Sequence, residues 1–157
     1  MKWDINIKDI TQDTHAVKAV LMSQHGNAVC KNEVYNTAEI YHGHFRADYC
    51  TFKQELTVYG HAILYGTSVR LMSVYGNLVL REASDVKSLH YHGEQLYVTN
   101  STLGAVQVVS TGKAPVIYLV NSTIRGDVSF AGRAGKVMLS RDAHCKGSIE
   151  NGEVEYV

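Results

Sequence analysis

Val58-Tyr59-Gly60-His61-Ala62-Ile63-Leu64 returns 16 residues later as Val74-Tyr75-Gly76-Asn77-Leu78-Val79-Leu80. The central glycine of each copy belongs to a longer ladder, Gly26, Gly43, Gly60, Gly76 and Gly93, with spacings of 17, 17, 16 and 17 residues. An aromatic ring precedes every rung (His25, His42, Tyr59, Tyr75, His92), and a polar residue follows it (Asn27, His44, His61, Asn77, Glu94). Self-similarity at a fixed short period is the signature of a solenoid. Each period reads as one coil of a parallel β-helix, with glycine at the same corner of every coil. Glycine suits a corner because it reaches positive φ and carries no Cβ to clash.

Apolar residues keep step with the ladder. Leu56, Met72 and Leu89 lie four residues before a rung, and Val58, Val74 and Tyr91 two before. Ala62 and Leu78 lie two after a rung, Leu64 and Leu80 four after. Phe52, Val69 and Val86, spaced by 17, form a third series. Alternation by two points these side chains inward and their neighbours outward. Three short apolar strands per coil give a triangular cross-section.

Beyond Gly93 the period lengthens. Asn100, Asn121 and Asp142 are 21 apart, as are Leu103, Ile124 and Cys145. Val106 and Val108 match Val128 and Phe130 at 22, so the register slips by one near Ala105. The added residues fall in polar corner stretches, where insertions lengthen an exposed loop and spare the stacked core. We expect a single-domain, all-β parallel β-helix of about 17–21 residues per coil and roughly six or seven coils, with little helix. Residues 1–22 read as an N-terminal cap with Trp3 as its plug, and 23–157 as the β-helix domain. Within the cap, Trp3, Ile5 and Ile7 alternate with polar residues as a short strand does.

Bulk composition limits the partners. The 15 Lys and Arg balance 15 Asp and Glu, and no Lys/Arg-rich run occurs. Nucleic acid and anionic membrane surfaces call for a basic excess, so neither is expected as a partner. No apolar run approaches the ~20 residues of a membrane helix. The start, Met1-Lys2-Trp3-Asp4-Ile5-Asn6, lacks the apolar core of a signal peptide. With three cysteines and no close pair, the expectation is a reduced, cytoplasmic protein without a disulfide framework. Cys30 and Cys145 fall at inward positions, leaving Cys50 as the thiol expected to be exposed.

In the last third, Ser122-Thr123-Ile124-Arg125-Gly126-Asp127-Val128, Gly135-Lys136-Val137-Met138-Leu139 and Cys145-Lys146-Gly147-Ser148-Ile149-Glu150-Asn151-Gly152-Glu153-Val154 together resemble the bactofilins. That family consists of bacterial cytoskeletal proteins, right-handed parallel β-helices that polymerise end to end without nucleotide. The resemblance covers the final 36 residues well and Gly26–Gly93 in style. It implies a right-handed helix and a self-assembling, non-enzymatic scaffold needing no cofactor. The expected assembly surface is the terminal coil, Ile149, Val154, Tyr156 and Val157, with Trp3 at the other end. The flexible proline- and lysine-rich tails usual in that family have no equivalent here, since the single proline is Pro115.

Two other chemistries are legible. His42, Tyr59, Tyr75 and His92 would stack on one outer column, with His44 and His61 beside them at ~4.8 Å intervals. Such a ridge offers rings and hydrogen-bonding groups to a protein or carbohydrate partner. The pairs His42/His44 and His90/His92 each present two imidazoles, candidate ligands for a metal-dependent enzyme. A catalytic zinc site ordinarily needs three ligands, and only Glu94 is near in sequence. A stacked aromatic column that stabilises successive coils accounts for the same residues more simply. The hexapeptide acyltransferases also form β-helices, but their six-residue apolar frame is not kept here.

Overall fold

The computed structural model describes residues 4–8, 18–25, 27–41 and 43–157, with backbone alone described before residue 27. The strands run in chain order: β1 (Asp4–Lys8), β2 (Lys18–His25), β3 (Ala28–Lys31), β4 (Val34–Ile40), β5 (Phe45–Asp48), β6 (Thr51–Val58) and β7 (Ala62–Tyr65). Then come β8 (Ser68–Val74), β9 (Leu78–Arg81), β10 (Asp85–Tyr91), β11 (Gln95–Thr99), β12 (Thr102–Ser110) and β13 (Val116–Val120). The last are β14 (Thr123–Ile124), β15 (Val128–Gly132), β16 (Gly135–Leu139), β17 (His144–Cys145), β18 (Ile149–Glu150) and β19 (Gly152–Tyr156). No helix occurs among the described residues.

These strands stack as a β-solenoid. An 8-stranded parallel sheet runs β3-β5-β7-β9-β11-β13-β16-β19, one strand per coil, so there are eight coils where the sequence suggested six or seven. An 11-stranded sheet collects the remainder. It wraps two faces. In the early coils one long strand bends round a corner, as the exposed Lys53-Gln54-Glu55 between buried Phe52 and Leu56 shows. In the late coils the bend separates β14 from β15 and β17 from β18. The cross-section is therefore three-sided, as the three apolar series predicted.

The expected columns are the observed ones. Phe52, Val69 and Val86 pair in register, as do Leu56, Met72 and Leu89. The slip near Ala105 is present, since Leu103 pairs with Ile124 at 21 and Val106 with Val128 at 22. The interior is filled by these aliphatic columns, with Tyr35, Phe45 and Phe52 packed ring against ring near the N-terminal end. Parallel pairing begins with β2 against β4, and β1 lies antiparallel across the outer side of β2. Trp3 lies outside the described residues.

Two corners differ in kind. At the ladder corner, a Cβ on Gly60 would sit 2.0 Å from the Gly43 carbonyl oxygen, and one on Gly93 would sit 2.4 Å from that of Gly76. None of the described rungs has positive φ; these glycines are there because coil touches coil. Left-handed backbone gathers instead at the corner entering the next coil: Asn32, Tyr49, Gly66, Glu82, Ala83, Asn100, Asn121 and Asp142. Asn and Gly tolerate that conformation best, and the exposed Asn121 amide donates to the Asn100 side chain at 2.6 Å.

From Tyr49 onward, the residue after each of these left-handed corners is buried and mostly hydroxylic. Thr67, Ser84, Ser101 and Ser122 form a column in which each side-chain oxygen accepts the N–H of the preceding coil, from Cys50, Thr67, Ser84 and Ser101 at 3.1–3.2 Å. Each hydroxyl in turn donates to a carbonyl two or three residues upstream, as Ser101 does to Thr99 at 2.9 Å. Buried donors that sheet pairing leaves over are satisfied in this way.

The cysteines depart from expectation. Cys50 is buried, not exposed, and it is joined to Cys30 by a disulfide. Cys30 points inward from β3, and Cys50 points inward from the corner after β5 in the next coil, so both sulfurs enter the same interior space. Cys145 continues the Leu103 and Ile124 column as predicted and is half-buried, and burial raises its thiol pKa.

Candidate functional site

The outer aromatic column forms at the ladder corner, where the tight turns at Gly60, Gly76 and Gly93 hold the preceding residues Tyr59, Tyr75 and His92 outward. Tyr59 stacks on Tyr75 with centroids 4.9 Å apart, and Tyr75 on His92 at 4.3 Å, all with near-parallel planes. Below Tyr59 the next ring is Tyr41, at 5.6 Å. The sequence placed His42 there. An extra residue at Lys53-Gln54 shifts β6 by one relative to β4, so Ile40 pairs with Val58 and Tyr41 underlies Tyr59. His42 itself, and the side chain of His25, lie outside the described residues. Tyr59 and Tyr75 are each 44% exposed, and since both faces of each ring are stacked, what they present to a partner is a ring edge and a hydroxyl.

His44 and His61 stack beside this column at 4.8 Å, as predicted, and their role is visible in the hydrogen bonds. The N–H of His44 donates to the Asn27 side chain, that of His61 to Nδ1 of His44, and that of Asn77 to Nδ1 of His61. Each side chain accepts a backbone donor of the next coil. This requires the neutral ring with its proton on Nε2. Both Nδ1 atoms are thus committed to the fold.

His90 and His92 flank the inward Tyr91 at the end of β10. His92 is half-buried, and its pKa lies below the ordinary imidazole value because burial, and then the neighbouring His90, disfavour its charge. Among the described residues no three His, Cys, Asp or Glu side chains converge as metal ligands. Tyr91 accepts the Gln95 N–H at 3.1 Å and donates to the Gln95 carbonyl, spanning the corner from inside.

At the C-terminal end, β17, β18 and β19 have a strand on one side only. Ile149 and Val154 continue inward columns and pack on the core, yet remain half-buried because no coil lies over them. Tyr156 and Val157 are 84% and 81% exposed. All four residues of the expected assembly surface at this end therefore meet at one open edge.

Two outer features escaped the sequence reading. Tyr97 and Tyr118 stack at 4.8 Å on the outside of the 8-stranded sheet; their 21-residue spacing, between inward Leu96 and Val98 and between inward Ile117 and Leu119, was the available signal. Register also aligns Lys53, Arg70, Lys87, Arg125 and Lys146 along one exposed corner, interrupted at Gly104. Asp85 pairs with Lys87 at 3.2 Å within this row.

The fold and these surfaces define a parallel β-solenoid with a stacked aromatic corner and an open terminal coil. Comparison with protein-family models, with curated proteins and with solved structures finds no match.

Proposed function

We propose that this protein is a non-enzymatic scaffold subunit of bactofilin-like type, assembling by strand addition at its C-terminal coil. One observation carries the reading: the edge formed by β17, β18 and β19 leaves backbone groups unpaired beside the half-covered Ile149 and Val154. An exposed edge strand is a template for another chain, and incoming strands gain both ladder hydrogen bonds and apolar cover. Nothing in this step needs a nucleotide, metal or cofactor. A right-handed solenoid is what the bactofilin resemblance implies, while the Cys30–Cys50 disulfide runs against the reduced, cytoplasmic setting expected from the cysteine count.

Light scattering behind a sizing column, with negative-stain microscopy of the same sample, tests it. Open-ended assemblies that Val154→Lys reduces to small discrete particles are the expected result. A closed oligomer or monomer in the unmutated protein, unchanged by Val154→Lys, would overturn end assembly. Tyr59 and Tyr75 favour a second reading, a discrete module that binds an extended partner along its aromatic corner; there Tyr59→Ala with Tyr75→Ala would abolish partner binding without altering assembly.

A further inference from the structure

We infer that the outer face of the 8-stranded sheet is a self-complementary surface on which a second copy of this chain docks with its solenoid axis reversed. Register defines the central outward column of that face, one residue per coil: Val29, Arg46, Ile63, Val79, Tyr97, Tyr118, Met138 and Glu155. Five apolar residues in a row lie between a cation and an anion. Four coil intervals of ~4.8 Å set Ile63 and Met138 about 19 Å apart. Tyr97 is 37% exposed at the centre of the stripe, and Val120, 41% exposed, widens it. Of the five, Tyr97 is exposed and Ile63, Val79, Tyr118 and Met138 are half-buried, so a contiguous stripe of apolar surface lies open to a partner.

The order of residues along the column selects the occupant. Consider a two-fold axis parallel to the strands, at the level of Tyr97. It places Tyr97 on itself, Val79 against Tyr118, Ile63 against Met138, and Arg46 against Glu155 of the second copy. Shifting the centre by one coil either way removes the match of charges. The flanking columns agree. The N-terminal half of the face carries Lys31, Arg46 and Arg81 against Asp48, whereas the C-terminal half carries Glu153 and Glu155 against Lys136. Reversal therefore brings a positive half against a negative one, while parallel docking sets like against like. A two-fold contact between identical patches is also the commonest way for subunits to close. Within the chain Arg46 pairs with Asp48 at 3.0 Å and Glu155 with Lys136 at 3.2 Å, and at 51% and 47% exposed both side chains remain accessible to exchange those partners for the second copy.

This inference does not rest on end assembly, and its test is run with the end blocked. In the Val154→Lys background, light scattering behind a sizing column should give a dimer. Adding Tyr97→Lys, which sets two cations on the axis, should shift it to monomer by at least tenfold in dissociation constant, with the circular dichroism unchanged. A monomer before Tyr97→Lys is added, or a folded dimer indifferent to it, overturns the proposal. Should Tyr97→Lys disturb the fold, crosslinking decides instead. Ile63→Cys with Met138→Cys should yield an oxidised dimer through mixed 63–138 bonds, mapped by peptide mass spectrometry. Bonds of 63–63 type, or no intermolecular bond, reject the reversed arrangement.

Discussion

Gly60 is held as glycine by lack of room rather than by backbone conformation, because the Gly43 carbonyl occupies the space its Cβ would take. Gly60→Ala must push apart two coils that also share the Tyr59 stack. We expect a loss of about 3 kcal/mol, the upper end of overpacking costs, in a denaturant titration. Gly112→Ala, with nothing within 4 Å, should stay within about 0.5 kcal/mol of the parent. Equal effects would mean that the corner gives way. Buried tyrosines make a second test at this scale. Burial, reinforced by Glu33, pushes the Tyr35 pKa up from 10.0 to about 12, and burial raises that of Tyr91 as well. The folded state holds those protons more tightly than the unfolded one. The associated stability is fully present below pH 10 and is lost as pH climbs through the raised values. Tyr35→Phe should therefore flatten the fall in stability between about pH 10 and 12. An unaltered alkaline slope would place Tyr35 in water.

Between residues and coils the working unit is the column. The Thr67, Ser84, Ser101 and Ser122 hydroxyls tie coil to coil through backbone N–H groups that sheet pairing does not reach. Ser101→Ala leaves the Ser84 N–H buried without its acceptor and should cost about 1–3 kcal/mol. Ser101→Thr should restore most of it, since Thr67 fills the same post. Amide exchange at Ser84 reports the effect directly, and unchanged protection in Ser101→Ala would show that the hydroxyl is dispensable. Columns also explain how far the sequence could be read. Leu56, Met72 and Leu89 were legible because spacing and alternation agree over several coils, and the slip at Ala105 was legible because it displaced apolar residues. The rung beneath Tyr59 was not. A one-residue bulge at Lys53-Gln54 lies among exposed polar side chains, leaves no apolar trace, and exchanges Tyr41 for His42. The left-handed corner was legible in the late coils, where Asn100, Asn121 and Asp142 recur every 21 residues, but in the early coils asparagine, tyrosine, glycine, glutamate and alanine occupy it, so there only the backbone reveals it. The open edge was legible because Ile149 and Val154 continue columns that Val128 and Val137 establish.

A stack of eight coils contacts only its neighbours, so its stability is a chain of local terms rather than one shared core. The Cys30–Cys50 disulfide should obey that rule. It joins residues 20 apart, linking β3 of the first coil to the corner closing the next. Closing a loop of this length stabilises by about 3 kcal/mol when the bond is unstrained. The pair was not legible beforehand, because a separation of 20 matches neither the 17-residue period nor a close cysteine motif; the two sulfurs meet only across the interior. Replacing both residues by alanine keeps the interior apolar and removes the staple. In a cooperative globule the loss would spread, and amides throughout would exchange faster together. In a stack it should stay where it is made. Hydrogen exchange with mass spectrometry should show β3, β5 and the early part of β6 opening, while β13, β16 and β19 retain their protection. Uniform acceleration through β19 would mean that the coils fold as a single unit. The C-terminal edge would then be no more independent of the N-terminal coils than the middle is. Protection confined to the far coils would leave that edge formed and available for assembly even when the first coils have opened.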